Sequence, residues 1–401
     1  MKRTVAVMVA MTAVLGTTAV SATAGTAGAH RPEAKVLQRD ADALLAQGAP
    51  GVLVELDTPR GEVRVRSGHG DVRRRTPVPW EAKFRAGSFT KPFVAVTVLQ
   101  LVGEGRLSLD DTVERWLPGV VAGNGNDGSK ITVRQLLQHT SGLRNYVLEF
   151  PHLFAEEGFM RNRFTTMTAR EAVAKAVAKP PTFQPGQDWL YSNTGYALAG
   201  MIIERVTGRT WQQEVRDRIV KPLGLSGTSL PGTSPHLPAP HARGYERFPE
   251  KGIEADPEDP RYGEAVDVTL QNPSWGGAAG EMITTTEDGN KFLRALFSGR
   301  VLRPAQFAEM TRTVPAPAFE AAWPGVRYGL GIMWMPNECG GLWSHGGDIM
   351  GFMTRNGVTS DGSRSVVVSV NTDSMVPRPG APAVTGDPVR ELVDHALCGT
   401  R

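Results

Sequence analysis

Strand-forming runs stand at both ends of this 401-residue chain, and a long helical stretch separates them. Near the start, Gly51 to Asp57 and Glu62 to Arg66 flank the turn Thr58-Pro59-Arg60-Gly61, which predicts a hairpin. Near the end, Gly329 to Met335, Gly341 to Ser344, Gly351 to Val358 and Arg364 to Asn371 have strand character, with Asp361-Gly362 turning the last pair. Strands joined by tight turns pair antiparallel, because a parallel pair needs a long crossover. The expected fold is therefore of the α/β (α+β) class. One antiparallel sheet of about five main strands is built from both chain ends and flanked by helices, with a mainly helical domain inserted. The boundaries expected are 30–95 and 290–401 for the sheet domain and 96–289 for the helical one. Pro231 to Pro260, rich in Pro, Gly and charge, reads as a surface excursion. In the helix from Thr286 to Leu296, Asn290 and Lys291 read as its polar side.

The first residues have the form of a secretory signal over 1–29. Lys2 and Arg3 precede an apolar core from Val5 to about Val20, and small residues end in Ala27-Gly28-Ala29. Cleavage after Ala29 or after Ala24 fits the pattern. A membrane anchor is the alternative, but the apolar run is short for a span and broken by Thr and Gly. The expectation is a secreted, extracellular monomer with no membrane attachment once the signal is removed. Only Cys339 and Cys398 are present. In an oxidising compartment they form one disulfide, and two free thiols are the alternative. A net charge of +3 with scattered arginines leaves no nucleic-acid footprint, and Arg73-Arg74-Arg75 reads as a solvated loop. The histidines lack ligand spacing, so neither a metal nor a cofactor is expected.

The chemistry-bearing stretch is Phe84-Arg85-Ala86-Gly87-Ser88-Phe89-Thr90-Lys91, which runs from a short strand into the apolar helical pattern of Phe93 to Leu101. Side chains three apart share a helix face, so the Lys91 amine can reach the Ser88 hydroxyl and take its proton. The bland alternative is a capping serine and a surface lysine. Two later patterns bear on the choice: Tyr191-Ser192-Asn193 before a helix, and His345-Gly346-Gly347 after a strand. Taken singly, Tyr191 reads as core, Asn193 as a helix cap and His345 as a satisfied histidine.

Taken in order, Ser-x-x-Lys, Tyr-x-Asn and His-x-Gly resemble the serine β-lactamase and penicillin-binding-protein superfamily. The likeness is closest to the secreted serine D-alanyl-D-alanine carboxypeptidases and the class C β-lactamases. It takes in Leu136 to Leu143, Tyr191 to Tyr196, Leu223-Gly224-Leu225 and both cysteines. The resemblance implies that Ser88 forms an acyl-enzyme, Lys91 accepts its proton and Tyr191 relays a proton to the leaving group. It also implies that His345 helps to place Tyr191 and the substrate, and that Asn193 bonds a substrate amide. The N–H groups of Ser88 and Asp348, beside Gly346 and Gly347, would form the oxyanion hole. Trp275 and the segment Phe150 to Phe154 would line the acyl pocket.

Two departures from that superfamily are visible. The carboxypeptidases usually carry hydroxyls where this chain has Gly346 and Asp348, and the arginine that binds a substrate carboxylate falls at Met333. An apolar residue cannot pair with an anion, and Asp348 would repel one. Arg355 on the next strand could compensate, although it reads more simply as a solvated strand residue. The expected activity is that of a serine hydrolase on a small peptide, ester or β-lactam. A D-alanyl-D-alanine carboxypeptidase leads, with an esterase, β-lactamase or D-aminopeptidase as alternatives and a non-catalytic binder of cell-wall peptide behind them.

Overall fold

The computed structural model describes residues 31–251, 261–378 and 380–399, so the expected signal segment lies outside the described residues. Nine strands form one sheet, and every pairing in it is antiparallel. In chain order they are β1 (Gly51–Thr58), β2 (Gly61–Gly68), β3 (Val314–Pro315), β4 (Arg327–Tyr328), β5 (Met333–Met335), β6 (Leu342–Ser344), β7 (Gly347–Ile349), β8 (Phe352–Val358) and β9 (Ser365–Val370). Their order across the sheet is β2-β1-β9-β8-β6-β5-β4-β3, with β7 also on β8. The two chain ends meet where β1 pairs with β9, from Val52 opposite Val370 to Asp57 opposite Ser365. The sheet is larger than the expected five strands because β3, β4 and β7 have only two or three residues, too few to leave an alternation in the sequence.

Period-two geometry sends alternate side chains of β9 to opposite faces. Val366, Val368 and Val370 join Leu37, Leu44 and Leu392 in one core, beneath α1 (Arg31–Ala46) and the C-terminal helix α5 (Arg390–Cys398). Val367 faces the other way, into the main core with Phe89, Phe93 and Phe292. Here α2 (Thr90–Gly103) is buried almost all round, which is why its sequence is apolar on every side. The helices α3 (Asn193–Thr207) and α4 (Thr286–Phe297) belong to the same core.

The expected boundary at 289/290 falls inside α4, and this helix lies on the sheet. Asn290, expected on its polar side, is instead buried and donates to the Glu55 carbonyl at 2.8 Å, while Thr286 donates to the Glu55 carboxylate at 2.8 Å. A buried amide needs such a partner, and the strand carbonyl supplies it. The expected surface excursion is also partly packed. Leu237, Tyr245, Glu246 and Phe248 are buried, and Tyr245–Glu246 pairs with Val266–Asp267.

Cys339 and Cys398 are bonded, joining the segment between β5 and β6 to the end of α5. The bridge spans 59 residues of sequence. Replacing both cysteines by serine releases that loop in the unfolded chain, and the chain-entropy account gives about 4 kcal/mol of lost stability. A urea titration of the two proteins measures it. The expected result is a lower midpoint, with turnover of the folded protein nearly unchanged.

Candidate active site

The short strand Phe84–Arg85 pairs with Ile283–Thr284 and delivers the chain into a tight turn, Gly87–Phe89, ahead of α2. Ala86 N–H donates to the Met282 carbonyl at 2.7 Å, and Thr90 Oγ1 donates to the Gly87 carbonyl at 2.8 Å. Strand β7 presses on this turn from the other side. A Cβ on Gly87, whose φ is +52°, would stand 2.8 Å from Asp348 N, and one on Gly347 would stand 1.9 Å from the Ala86 carbonyl oxygen. Only glycine fits at either position. The same contact brings Asp348 N and Ser88 N to one side of the turn.

Ser88 Oγ lies 2.8 Å from Lys91 Nζ and accepts a hydrogen bond of 2.7 Å from the Tyr191 hydroxyl. Lys91 is fully buried, and its Nζ also donates to Asn193 Oδ1 at 2.7 Å and to the Ala279 carbonyl at 2.8 Å. Burial pushes the Lys91 amine well below its usual range, and the opposing pull of the Asp348 charge is the smaller effect. A neutral amine has two N–H bonds and one lone pair. With the N–H bonds on Asn193 and Ala279, the lone pair is left facing Ser88. Burial moves the Tyr191 phenol the opposite way, above its usual range, so it stays protonated and can donate.

Asn193 therefore seats Lys91. Its Nδ2 is directed at Asn145 Oδ1, 3.3 Å away, which also accepts from Asn193 N at 3.2 Å. His345, expected to help place Tyr191, makes no hydrogen bond to it or to Ser88. Its Nε2 is 2.8 Å from the Tyr328 hydroxyl and its Nδ1 is 2.7 Å from the Gly346 carbonyl. Tyr328 also lies 3.1 Å from His139 Nε2, and His139 Nδ1 accepts from Ser192 N–H at 3.2 Å.

These partners assign every proton from the network. Ser192 N–H makes His139 Nδ1 an acceptor, so Nε2–H donates to the Tyr328 oxygen. Tyr328 then donates to His345 Nε2, and His345 Nδ1–H donates to Gly346. Both rings are neutral in this arrangement. Burial holds His139 well below the usual histidine range and is the main cause that brings His345 down to about 3. The His139 ring stands 4.4 Å from that of Tyr191 and backs it more closely than the His345 ring, which lies 6.4 Å away. His139 has a left-handed backbone at φ +64°, strained for a residue with a side chain.

Asp348 extends outward from β7 with 48% of its side-chain surface exposed, and accepts from Arg355 at 2.6 Å. Arg355 is not the solvated residue expected from strand alternation. Only 13% of its side chain is exposed, and it is held between Asp348 and Asp387. Met333 is buried beside Tyr328 and Trp189. Trp275 makes no hydrogen bond or ring contact with Ser88, Lys91 or Tyr191. Its side chain packs with Phe150 and Phe154 around Phe159 and Phe248, while its carbonyl accepts from the Tyr146 hydroxyl at 2.5 Å. Residues that sequence reasoning missed are Asn145, Tyr328 and the carbonyl of Ala279. Asn145 carries a faint signal as the cap of the turn Tyr146–Glu149, and a carbonyl carries none.

A serine bonded to a buried lysine, with a phenol on the same hydroxyl, defines a class of serine hydrolase, and the comparisons agree. Residues 37–386 match the family model described as Beta-lactamase, and the chain belongs to that family. Among solved structures it is similar to a D-stereospecific amidohydrolase from Streptomyces sp., at 39% identity and a TM-score of 0.80, covering 92% of this chain and 99% of that one. It is also similar to the D-amino acid amidase of Ochrobactrum anthropi SV3 complexed with D-phenylalanine, at 29% identity and a TM-score of 0.76, covering 91% and 98%. Among curated proteins, Esterase EstB of Burkholderia gladioli is 32% identical over 228 residues, 55% of this chain and 54% of that protein. The matches to the first curated relatives span about a third to a half of those proteins' lengths.

Two measurements test the network. Tyr328→Phe leaves a buried acceptor on His345 and a buried donor on His139, so it should cost about 2–4 kcal/mol in urea unfolding. The pH dependence follows from the neutral rings. A histidine whose folded pKa lies below its unfolded value of 6.5 binds fewer protons when folded, so stability rises with pH across that window and falls on acidification. Glu246 and Glu281, both raised to about 7 by burial, act in the opposite sense between the ordinary glutamate value of 4.5 and 7. Below about 4.5 the histidines act unopposed by these two. The urea midpoint should fall steeply from pH 4.5 to 3.5, and a flat profile there would contradict buried neutral histidines.

Proposed function

We propose that this protein hydrolyses amides or esters of D-amino acids that carry a free ammonium, through an acyl-Ser88 intermediate. The single observation that carries the substrate reading is the absence, among the described residues, of an available cation where a substrate carboxylate would need one. Met333 is apolar and buried, Arg355 is committed to Asp348 and Asp387, and Asp348, whose backbone lies against the nucleophile turn, carries a half-exposed carboxylate. Such a field repels a C-terminal carboxylate and attracts an ammonium. The preference for D-substrates is supported by the names of the amidohydrolase and amidase relatives. Carboxypeptidase activity, the expectation from sequence, is the less favoured reading on the same grounds.

In the reaction proposed, Ser88 Oγ adds to the substrate carbonyl while its proton passes to the Lys91 lone pair. The N–H groups of Ser88 and Asp348 stabilise the oxyanion. As the C–N or C–O bond breaks, Tyr191 gives its proton to the leaving group and is reprotonated from Lys91. Water then adds to the acyl carbonyl, loses a proton to the same base and releases Ser88 with its hydrogen restored. The products are a D-amino acid and an amine or alcohol, so the atoms balance without a cofactor. Export of the protein is part of the proposal and is supported by the N-terminal pattern. Intact mass of the secreted product, starting at His30 or Gly25, tests it.

Ser88→Ala and Lys91→Met should each lower kcat/KM by about a thousandfold or more with the fold retained. For the substrate, kcat/KM is compared on D-phenylalanine amide, its L-enantiomer and N-acetyl-D-phenylalanine amide. A D-Ala-D-Ala peptide is assayed alongside as free acid and as C-terminal amide. The D-amide should exceed the L-amide, and N-acetylation should cost at least about tenfold, equivalent to 1.4 kcal/mol. Asp348→Asn should weaken only the substrates bearing an ammonium. Strong preference for the free-acid peptide would sink the substrate reading and leave the acyl-serine chemistry standing.

A further inference from the structure

The segment that braces the nucleophile turn has a second face. Its Ala279 carbonyl holds Lys91, its Gly280 packs against Gly87, and Met282 N–H donates to Thr90 Oγ1 at 3.1 Å. On the other side, this segment forms one wall of a cavity of about 270 Å3. Met167, Ala172, Ala197, Met201, Trp211 and Trp275 supply apolar walls, and Ser88, Lys91, Tyr191 and Asn193 are not among the lining residues. The volume is near the lower end for small-molecule pockets, roughly 300 Å3.

One polar group in this cavity is out of balance. Glu281 is only 2% exposed, and its Oε1 accepts from Gln212 Nε2 at 3.1 Å and from Gly232 N–H at 3.2 Å. Its Oε2 has no hydrogen-bond partner among the described residues. No lysine or arginine lines the cavity, and the other titratable groups there are Glu204 and Tyr146. Glu204 is exposed and accepts from Trp211 N–H at 3.4 Å, and the Tyr146 hydroxyl is spent on the Trp275 carbonyl. Glu281 Oε2 is not sealed off and opens on the cavity, and a carboxylate so enclosed is costly until a cation or a proton meets it. We propose that this cavity is a second binding site, taking a small organic cation with its ammonium on Glu281 Oε2 and its apolar body against Met201 and Trp211. The two carboxyls exclude anions, and the apolar walls disfavour a bare metal ion. Because Glu281 and Ala279 share one short segment, occupancy stiffens the seat of Lys91. That coupling rests on the acyl-serine reading, whereas the binding itself does not.

Calorimetry with benzylamine, using benzyl alcohol as the neutral match, tests the site on the full chain. The expected result is saturable one-to-one binding of the amine at pH 8, at least tenfold weaker for the alcohol. Binding should weaken as pH falls through about 7, where burial has placed the Glu281 carboxyl. Glu281→Gln should lose at least tenfold in affinity. Ala169→Trp, which blocks the exposed rim, should do the same without touching a buried group. Ser88→Ala and Asp348→Asn should bind as the parent does. No saturable binding, or equal binding of the alcohol, would overturn the proposal. So would loss of binding in Asp348→Asn with retention in Glu281→Gln, since that pattern would put the amine in the catalytic cleft.

Discussion

The burial of one lysine sets the terms for the rest of the site. An amine that is fully enclosed favours its neutral form, and a neutral amine has one lone pair to offer. The chain disposes of its two N–H bonds on partners from different elements, Asn193 at the head of α3 and Ala279 in the brace before Ile283–Thr284. Neither partner is itself a base, so neither competes for the proton of Ser88. Their role is to aim the lone pair. Asn145, three hydrogen bonds from the reacting hydroxyl, fixes Asn193 in turn.

The enclosure depends on the sheet being closed from both chain ends. Because β9 bridges β1 and β8, the C-terminal strands lie rigidly beside the N-terminal turn, and β7 is brought against Ala86 and Gly87. Paired glycines let two backbones approach closer than any side chain allows. The same closeness leaves β7 little room to move relative to Ser88, which keeps two backbone N–H groups on one side of the nucleophile. Preorganised donors of this kind need no rearrangement as charge develops on a carbonyl oxygen.

What was legible in the sequence was what is local. Ser88 and Lys91 lie one helical turn apart and meet as that spacing implied, while Tyr191 and Asn193, singled out by the resemblance and not by spacing, reach Ser88 and Lys91 respectively. The strand-forming runs of β1, β8 and β9 were equally plain, buried though they are on both faces. Contacts between segments distant in sequence were hidden. Arg355 read as a solvated strand residue because nothing near it announces Asp387, and Asn290 read as polar surface because its partner is a carbonyl on β1. His345 was found by its motif, yet its partner Tyr328 sits on a two-residue strand with no pattern of its own. The Ala279 carbonyl is a backbone atom, and backbone atoms have no letter in a sequence.

The electrostatics beside the nucleophile argue for selectivity by charge. Arg355 is the one cation close to Asp348 among the described residues, and it is divided between Asp348 and Asp387. Behind Asp348 stand Asp373 and Glu246, each with its carboxyl pushed up, first by burial and further by the charge of Asp348. Glu246 comes to about 7 while accepting from Gly351 N–H at 2.8 Å. Burial is the main cause for both, so raised carboxyls of this kind add little charge of their own. The negative charge beside the nucleophile turn therefore rests on Asp348, whose partner Arg355 is shared with Asp387. A substrate with a free carboxylate would have to approach against that charge with no unengaged cation to receive it, whereas an ammonium would relieve it. The fold supplies the acyl-transfer machinery, and the Asp348 carboxylate, with its one cation shared, is the physical basis for the proposal that this machinery acts on cationic substrates.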